Sequence, residues 1–367
     1  MKTEISSLEL SYLIKELEKL KGSRIEKIYA KDNKDLFIQF YKAELGKPIL
    51  RVKAPNFLYL TLHKPSFSHP SNFCTALRKR LTNGKLTGIS KLGNERIVKL
   101  TIDKMDENGL IKKKYLFFEL FLKGNVILTD DSMDIDILAE GQIWANRELK
   151  AKQKYSVPKK HVYKLKGELD VELVKFLAES MNLGGEFAEE VCHRATIDKK
   201  RKVLSDSDVK LVNESIEELK SDSGGMGYVY SIAGKKQIYP FLMKSLVNYD
   251  KLDTFSSFNE ALDSVLTAQD KLVQDKTLKK EKDKKKNKYE KILDAQQKSL
   301  EKNEKLIDDC TKKGDLIYQN FNYIAELLDQ LKLARNTMSW KEIKGKLKNH
   351  KTIKSIDEKN GKIVLDI

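Results

Sequence analysis

The pair Glu95-Arg96 is the first feature of the chain that could do chemistry, because a carboxylate and a guanidinium stand directly before the apolar run that begins at Ile97. An arginine side chain can donate two parallel hydrogen bonds to a phosphate or to the edge of a guanine. The carboxylate beside it can accept hydrogen bonds from a base or a sugar. The residues alone leave two interpretations open: contact with a nucleic acid, or a strand-edge salt bridge that contributes little to stability.

A basic helix face lies upstream, in the segment FCTALRKRL from Phe73 to Leu81, where Arg78, Lys79 and Arg80 are consecutive. Such a run is either an ordinary solvated helix face or a surface for phosphates. We predict the phosphate-binding surface, because further basic side chains stand in the surrounding sequence: His63, Lys64, Lys85 and Lys91.

A pair of glycines, Gly184 and Gly185, joins two helical patterns, ELVKFLAES and EFAEEVCHRA. This arrangement predicts a helix–hairpin–helix. Glycine permits a tight turn and lets the backbone approach a phosphate at a helix N-terminus. Glycine pairs also join helices for packing reasons, so a phosphate contact and a packing role both remain open.

A lysine tract runs from Lys271 to Lys291 and carries ten lysines against four acids. A helix with this charge suits contact with a nucleic-acid backbone that is not sequence-specific, and such contact would be sensitive to salt. A helix that is merely solvated is the alternative. The candidate contact residues are Lys279, Lys280, Lys284, Lys285 and Lys286.

The composition favours a polyanionic partner, since the formal net charge is +16 and the isoelectric point is about 9.3. Nucleic acid and an acidic membrane surface both meet this description. A generally lysine-rich proteome would give the same balance without any such partner.

Common catalytic patterns are absent from the sequence. The three cysteines and five histidines lack zinc-ligand spacing, and there is neither a Ser/His/Asp order nor a phosphate-binding loop motif. We therefore expect no catalytic residue, no metal and no cofactor. The N-terminus is not a signal peptide, and no apolar run reaches the length of a membrane span. We expect a soluble cytoplasmic protein without a membrane partner.

The periodicity of residues 1–160 predicts an α+β unit, with a β-rich sheet backed by two helices. One helix is expected from Ser6 to Leu20, capped by Ser6 or Ser7, and the other from Asn72 to Leu81. Glu119 interrupts an apolar strand and is expected to be a paired structural carboxylate. The expected strands are RIEKIYA, DLFIQFY, ILRVKA, NFLYLTLH, LTGISKL, RIVKLTID, KYLFFELFL and NVILTD.

The remainder of the chain is expected to be mostly helical from Phe258 to Ala334. Six heptads in phase predict a coiled coil, with Leu293, Ile307 and Phe321 among the seam residues. The seam suits pairing with a returning helix, and because the sequence holds none we expect these 367 residues to be the N-terminal part of a longer protein. The predicted domains are 1–160, a helix–hairpin–helix domain at 161–224, a returning β-hairpin at 225–257, a basic helix and coiled-coil arm at 258–335, and the start of a middle domain at 336–367.

The order of several motifs resembles the NFACT family, the tailing factors of ribosome quality control that were historically labelled fibronectin-binding protein A. The motif GNVILTD is similar to the archaeal and eukaryotic branch. The motifs that carry the resemblance are SSLEL, GSRIEKIYA, LRKRL, NERIV, ELFLKGNVILTD, NRELKAKQKYSVPK, LGGEFAEEVCHRA, SFNEALD and TMSWKEI.

The resemblance implies a fold and a function. The N-terminal domain would be similar to that of formamidopyrimidine-type DNA glycosylases, followed by the helix–hairpin–helix and a long coiled-coil arm. The protein would bind tRNA and an obstructed large ribosomal subunit, with its rRNA and peptidyl-tRNA, and promote untemplated tailing of stalled chains. A ubiquitin ligase and self-association through the coiled coil stay open as further partners.

The resemblance also implies which residues bind tRNA. The family pattern has an aspartate at the position of Glu9 and an Asp-Arg pair at the position of Glu95-Arg96, so both acids are one methylene longer here. Arg96 is unaltered. With Arg78 and Lys79, these residues form the predicted tRNA-binding set, and Gly184, Gly185 and the lysine tract form the predicted rRNA-binding set.

Other functions were weighed against this one. A DNA glycosylase of similar fold needs an N-terminal proline as nucleophile, whereas this chain begins Met1-Lys2-Thr3-Glu4. An extracellular adhesin is disfavoured by the basic composition and the lack of a signal peptide. A general RNA-binding protein or RNA chaperone without ribosome specificity remains the alternative. The sequence therefore predicts a non-catalytic RNA-binding scaffold.

Overall fold

The computed structural model describes residues 2–65, 67, 69–145, 147–158, 163–221, 225–249, 251–348, 350–357 and 360–366. For residues 251–252, 274, 276–279 and 281 it describes the backbone alone. The chain divides into two compact units, Met1–Val273 and Gln274–Ile367. Each unit is described by itself below.

The secondary structure alternates as the periodicity predicts. The helices are α1 Ser7–Leu17, α2 Asn72–Leu81, α3 Leu173–Lys175, α4 Gly185–Ala195, α5 Asp206–Ser221, α6 Phe258–Gln319, α7 Phe321–Thr337 and α8 Trp340–Lys346. The strands are β1 Arg24–Ala30, β2 Asp35–Tyr41, β3 Ile49–Lys53, β4 Phe57–Thr61, β5 Lys85–Lys91, β6 Ile97–Met105, β7 Ile111–Glu119, β8 Asn125–Thr129, β9 Ile135–Leu138, β10 Gln142–Trp144, β11 Arg147–Leu149, β12 Gly227–Ile232, β13 Lys235–Tyr239, β14 Lys251–Phe255, β15 Ile353–Asp357 and β16 Lys362–Leu365.

The first unit is built on a nine-stranded antiparallel sheet with the order β4-β3-β2-β1-β5-β6-β7-β8-β9, which confirms the predicted α+β class. Strands β1 and β5 pair only at Arg24 and Lys85, so the rest of that edge of β1 needs another partner. Helix α2 supplies it, because Arg78 donates its Nε–H to the carbonyl oxygen of Ile28 at 2.6 Å. Free strand edges are commonly covered in this way.

Helix α1 has two buried sides. Leu10, Leu13 and Leu17 pack into the core of the sheet, whereas Leu8 and Tyr12 pack into a second core formed by the helical part of this unit. The helix begins at the predicted cap, Ser6, and ends in a short 3₁₀ turn, Glu18–Leu20. Because α1 is buried on both sides, it fixes the position of the helical part against the sheet.

The helical part contains α3, a π-helical turn Phe176–Ser180, α4 and α5, together with a small sheet of order β13-β12-β14. The apolar side chains of the helices share one core with Tyr230 and Tyr239 of the small sheet, whereas Val229 and Ile238 of that sheet pack into the core of the large sheet. Gly184 precedes α4 with φ +85°, a conformation that glycine adopts without strain. The two helical spans on either side of this glycine agree with the sequence, and the helix–hairpin–helix assignment stays a prediction.

A third core lies on the other face of the sheet, under the β10-β11 hairpin. Glu119 lies beside it, fully buried, and pairs with Arg147 at 2.5 Å while accepting a hydrogen bond from the Tyr155 hydroxyl at 3.0 Å. The expected structural role of Glu119 as a paired carboxylate is confirmed.

Helix α6 starts in the first unit, where Glu16 of α1 accepts hydrogen bonds from the backbone amides of Phe258 and Asn259, each at 3.0 Å. The Asn259 side chain also bonds both the N–H and the carbonyl of Leu60, at 2.6 and 3.0 Å. The side-chain amide of Asn259 thereby satisfies two backbone hydrogen-bonding groups on the outer edge of β4.

The helical run was predicted to continue unbroken to Ala334, and here the structure differs. Asn320 separates α6 from α7 with φ −105° and ψ 20°, and its side-chain amide donates to the carbonyl of Leu316 at 3.0 Å. Asparagine competes for backbone carbonyls in this way and so disfavours a helix interior. Leu293, Ile307 and Phe321 of the proposed seam are exposed, and the coiled coil stays a prediction.

The second unit also contains a small core of its own. Leu327 and Leu331 of α7 pack with Ile343 of α8 and Ile356 of β15. Strands β15 and β16 form the hairpin that the sequence predicted around Asn360-Gly361. The boundaries proposed for the finer domains stay predictions.

Candidate nucleic-acid interface

A cleft of about 1190 Å³ opens in the first unit between α1 and α5. Its other walls are the loop that follows β5, the segments 157–158 and 163–165, and the turn before α4. These elements are far apart in sequence, so only the fold brings their side chains together.

Among the described residues, four lysines line this cleft: Lys15, Lys91, Lys164 and Lys220. Against them stand two acids, Glu95 and Glu217, and Glu217 already pairs with Lys220 at 2.9 Å. The remaining lining is mostly hydroxyl, amide and aliphatic groups. A basic cleft with many hydrogen-bonding side chains suits an anionic, polar ligand such as RNA.

Lys91 is the most perturbed of these cations. Burial is the main cause that lowers the pKa of its ammonium group to about 8; the nearby Glu95 carboxylate opposes this shift, and the charge of Lys220 adds to it. A lysine without full hydration binds a phosphate at a smaller desolvation cost. The charge of Lys91 can thus contact an anion in the cleft, and it depends on pH.

The loop between β5 and β6 is held from two sides. The carbonyl oxygen of Asn94 accepts a hydrogen bond from the Ser7 hydroxyl at 2.6 Å and from the Asn182 side-chain amide at 2.7 Å. Ser7 opens α1 and Asn182 precedes α4, so both helix N-termini position this loop. Glu95, the predicted contact residue, lines the cleft directly after it.

Arg96 follows Glu95 but lies outside the cleft lining. Its Nη1 lies 2.7 Å from the carboxylate of Glu4 and donates to the carbonyl oxygen of Ile5 at 3.1 Å. The side chain is half-buried. Arg96 therefore pairs with Glu4. The sequence suggested a salt bridge between Arg96 and its neighbour Glu95, and the structure shows one between Arg96 and Glu4.

Glu9 is fully buried in the structure. One carboxylate oxygen lies 2.5 Å from the ammonium of Lys2, and the other accepts a hydrogen bond from the backbone amide of Ser6 at 2.8 Å, which completes a capping box. Both oxygens are used within the protein. A contribution of Glu9 to tRNA binding stays a prediction. Because both oxygens are occupied, Glu9 would affect tRNA binding by positioning the N-terminal end of α1.

The basic face of α2 is divided between two locations. Arg78 is bound to the edge of β1, and Lys79 is exposed. Lys64, which stands near them in sequence, lies 4.3 Å from the ring centre of Tyr29, the same ring that Arg78 approaches to 5.7 Å. Lys91 instead lines the cleft. The structure thus brings Lys64 together with Arg78 and separates both from Lys91.

The residues predicted to contact rRNA lie elsewhere. Gly184 and Gly185 stand at the start of α4, where a side chain on Gly184 would come within 3.9 Å of Ser6. The side chain of Lys279 lies outside the described residues. The other four predicted residues of the tract are exposed on α6: Lys280, Lys284, Lys285 and Lys286.

Three lysines that line the cleft were not predicted from the sequence: Lys15, Lys164 and Lys220. Lys15 and Lys164 have other basic residues nearby in the sequence and Lys220 has none, but no local pattern distinguishes any of the three from a solvated lysine. In the part of the chain that the structure describes, no group of histidine, cysteine and acidic side chains could hold a metal ion. Nor does any described helix have the length and apolarity needed to cross a membrane.

Comparison with known proteins gives one family match, to the NFACT N-terminal and middle domains over residues 6–360. The archaeal Rqc2 homolog aRqcH of Methanocaldococcus jannaschii is 28% identical over 400 residues, which cover 100% of this chain and 58% of that protein. The ribosome quality control complex subunit NEMF homolog of Drosophila melanogaster is 25% identical, covering 94% of this chain and 41% of that protein. The chain thus spans about half the length of these relatives.

Solved structures with the same fold come from two bacterial proteins. The fibrinogen-binding protein of Staphylococcus aureus superposes with a TM-score of 0.56 at 22% identity, covering 70% of this chain and 97% of that one. The N-terminal part of the fibronectin/fibrinogen-binding protein of Streptococcus suis gives 0.54 at 19% identity, covering 72% and 100%. At this identity the likeness concerns the fold alone.

Proposed function

Because the chain belongs to the family of NFACT N-terminal and middle domains, we propose that it is a cytoplasmic ribosome quality control factor. It binds the obstructed large ribosomal subunit together with tRNA and peptidyl-tRNA, and it promotes untemplated tailing of the stalled chain. It is not itself an enzyme. It holds tRNA in position for the peptidyl transferase of the ribosome, so its contribution is proximity and orientation.

The observation that carries this proposal is the lysine-lined cleft. Lys15 on α1, Lys91 at the end of β5 and Lys220 on α5 line one cavity from three separate elements. A rigid frame presents them, since α1 is buried on both sides. Cations fixed before binding lose little entropy when they contact phosphates. The cleft is therefore the proposed tRNA-binding surface.

Glu95 and Arg96 have separate roles in this proposal. Glu95 lines the cleft and accepts hydrogen bonds from a base or ribose there, which adds selectivity to the charge of the lysines. Arg96 contacts a phosphate at the same turn of the chain. The exposed lysines of α6 supply the sequence-independent contact with rRNA.

The proposal is tested by comparing Lys220→Ala with Lys210→Ala. Both residues lie on α5 and each is paired with a glutamate of that helix, so the two variants change the net charge equally. Only Lys220 lines the cleft. We expect Lys220→Ala to weaken tRNA binding about fivefold at 0.1 M salt, the effect of one phosphate contact, while Lys210→Ala leaves it unchanged.

Equal losses in the two variants would mean that only overall charge matters and would overturn the cleft assignment. A second measurement addresses the ribosome. Binding to isolated large subunits should exceed binding to free rRNA fragments of the same total charge. Equal affinities would favour a general RNA-binding protein.

A further inference from the structure

Two cations of the first unit lie against one aromatic ring, away from the lysines of the cleft. The ammonium of Lys64 is 4.3 Å from the ring centre of Tyr29 and donates to its hydroxyl at 2.9 Å. The guanidinium carbon of Arg78 is 5.7 Å from the same ring centre. We call Tyr29, Lys64, Phe67 and Arg78 the Tyr29 patch.

The Tyr29 patch is rigid. Phe67 stacks on Tyr29 with ring centres 4.7 Å apart and planes inclined by 10°, and Phe37 of β2 meets Phe67 edge-on at 5.2 Å. The guanidinium of Arg78 is fixed by the carbonyl of Ile28 at 2.6 Å. The two cations are thus held by contacts with residues of β1, Lys64 on the exposed surface and Arg78 partly buried.

The charges of this patch lack a counter-charge. Among the described residues, Lys64 and Arg78 contact only neutral groups: the Tyr29 ring and hydroxyl, the Ile28 carbonyl and the Cys74 thiol. Burial raises the pKa of that thiol, so it stays neutral. By contrast, Arg80, two residues further on, pairs with Asp136 at 2.8 Å.

Further cations extend the patch on both sides. Lys79 is exposed beside Arg78 on α2. Lys31 is exposed at the end of β1, with its ammonium 5.9 Å from the ring centre of Phe37. The charge of Lys31 acts on the carboxylate of Asp270, which already pairs with Arg51 and Lys53. Three cations of this surface, Lys31, Lys64 and Arg78, therefore lie against aromatic rings.

We propose that the Tyr29 patch is a second RNA-binding site, separate from the cleft, which takes the phosphodiester backbone of a single-stranded segment. Uncompensated cations favour phosphates. Interleaved aromatic rings are typical of surfaces for single strands, where bases stack against them. In a double helix the base faces are already stacked on one another. Its phosphates could bind the cations, but no base could stack on Phe67.

The experiment measures binding of a fluorescent oligouridylate of about ten nucleotides, long enough for one site. It uses the whole chain carrying Lys220→Ala, which reduces the contribution of the cleft equally in every protein that is compared. Adding Lys64→Ala should weaken binding about fivefold at 0.1 M salt and flatten the log–log salt slope by about 0.7, as for one single-strand phosphate contact.

The matched control is Lys47→Ala in the same background. Lys47 is also an exposed lysine of this sheet region and pairs with Glu26 at 2.8 Å, but it is not one of the four residues of the Tyr29 patch, so the variant should bind the oligouridylate normally. Tyr29→Leu removes the ring but retains both cations and should weaken binding as well. Thermal melting checks that each variant is folded.

Three results would overturn the proposal. Lys64→Ala could bind as tightly as its parent, Lys64→Ala and Lys47→Ala could lose affinity equally, or an RNA duplex could bind the patch as tightly as the single strand. Vesicles of anionic phospholipid test the other source of phosphate, and stronger Lys64-dependent binding to them would also contradict an RNA site. The comparison of Lys220→Ala with Lys210→Ala measures tRNA affinity and does not involve the patch. A wrong assignment of the cleft can therefore be distinguished from a wrong assignment of the patch.

Discussion

Arg96 is paired with Glu4, whose carboxylate lies 2.7 Å from its Nη1, and the same nitrogen donates to the carbonyl of Ile5 at 3.1 Å. A guanidinium proposed to bind phosphate is thus already occupied by a carboxylate of the N-terminal segment. The Glu4 side chain is 53% exposed, so it can move away. A phosphate and Glu4 would therefore compete for Arg96.

Replacing Glu4 tests this competition. Glu4→Gln removes the charge that a phosphate must displace, so tRNA should bind about two- to fivefold more tightly, the range expected for a half-exposed ion pair. Glu44→Gln, at an exposed acid near Lys42, makes the same charge change elsewhere and serves as the control. In an Arg96→Ala background the gain from Glu4→Gln should vanish. A gain that persists there would show that Arg96 is not the group that Glu4 blocks.

The pH dependence of tRNA binding should report on Lys91. Its pKa of about 8 lies below the ordinary value for lysine, so the side chain is charged below pH 8 and loses its proton as the pH rises through that value. Affinity should accordingly fall between about pH 7.5 and 9, beyond the fall seen in Lys91→Arg, whose guanidinium stays charged. Identical pH profiles for the two proteins would exclude a contact by Lys91.

The buried pair of Glu119 and Arg147 should matter for stability. In Glu119→Gln the guanidinium of Arg147 keeps its charge but loses its counter-charge in a site where both side chains are buried. The expected loss in the free energy of unfolding is about 3–5 kcal/mol. Glu18→Gln, which breaks the exposed pair with Lys21, should cost less than about 1 kcal/mol. Urea denaturation measures both, and similar values would contradict the assigned burial.

The lysine tract of α6 should control binding to the large subunit. Each phosphate contact contributes to the salt dependence, so removing five should shift the log–log slope by roughly 3 to 5 units. An unchanged slope would mean that this part of α6 is merely solvated. The variant replaces Lys279, Lys280, Lys284, Lys285 and Lys286 by glutamine, and the control replaces Lys298, Lys302, Lys305, Lys312 and Lys313 of the same helix.

Local patterns in the sequence were sufficient for most of the secondary structure. The span of α2 agrees with the prediction at both ends, because its apolar residues recur at helical spacing and Ser71 can cap it. Asn320 shows the limit of periodicity, since a heptad pattern continues through it while its side chain competes for a backbone carbonyl. The break between α6 and α7 therefore depends on the Asn320 side chain, which the heptad pattern of apolar residues does not reveal.

The candidate site was harder to predict, for a physical reason. Glu95 and Lys91 are neighbours in sequence and meet in the cleft, but Lys15 and Lys220 reach it from α1 and α5. Convergence of residues about two hundred positions apart depends on tertiary packing, which one sequence does not reveal. The sequence also grouped Lys91 with Arg78, whereas Arg78 contacts Ile28 and Tyr29 of β1 and Lys91 lines the cleft.

The exposed side chains around Asn320 lead to the last prediction. Ile317, Phe321 and Leu328 are 52%, 62% and 43% exposed and belong to one predicted heptad seam. A stripe of this kind is costly in water and favours pairing with another apolar helix face. The chain should therefore self-associate through this segment, with an average mass that rises with concentration in sedimentation equilibrium.

Phe321→Glu should abolish that association, because it puts a charge in the middle of the seam. The control is Tyr318→Glu, which also replaces an exposed aromatic residue by glutamate but lies off the seam, on a side chain that is 85% exposed. We expect Tyr318→Glu to associate like the parent and Phe321→Glu to remain at the monomer mass of 42.3 kDa. If the parent is itself monomeric at every concentration, the stripe does not pair copies of this chain. If both variants dissociate alike, apolar exposure in general, and not the heptad seam, drives the association.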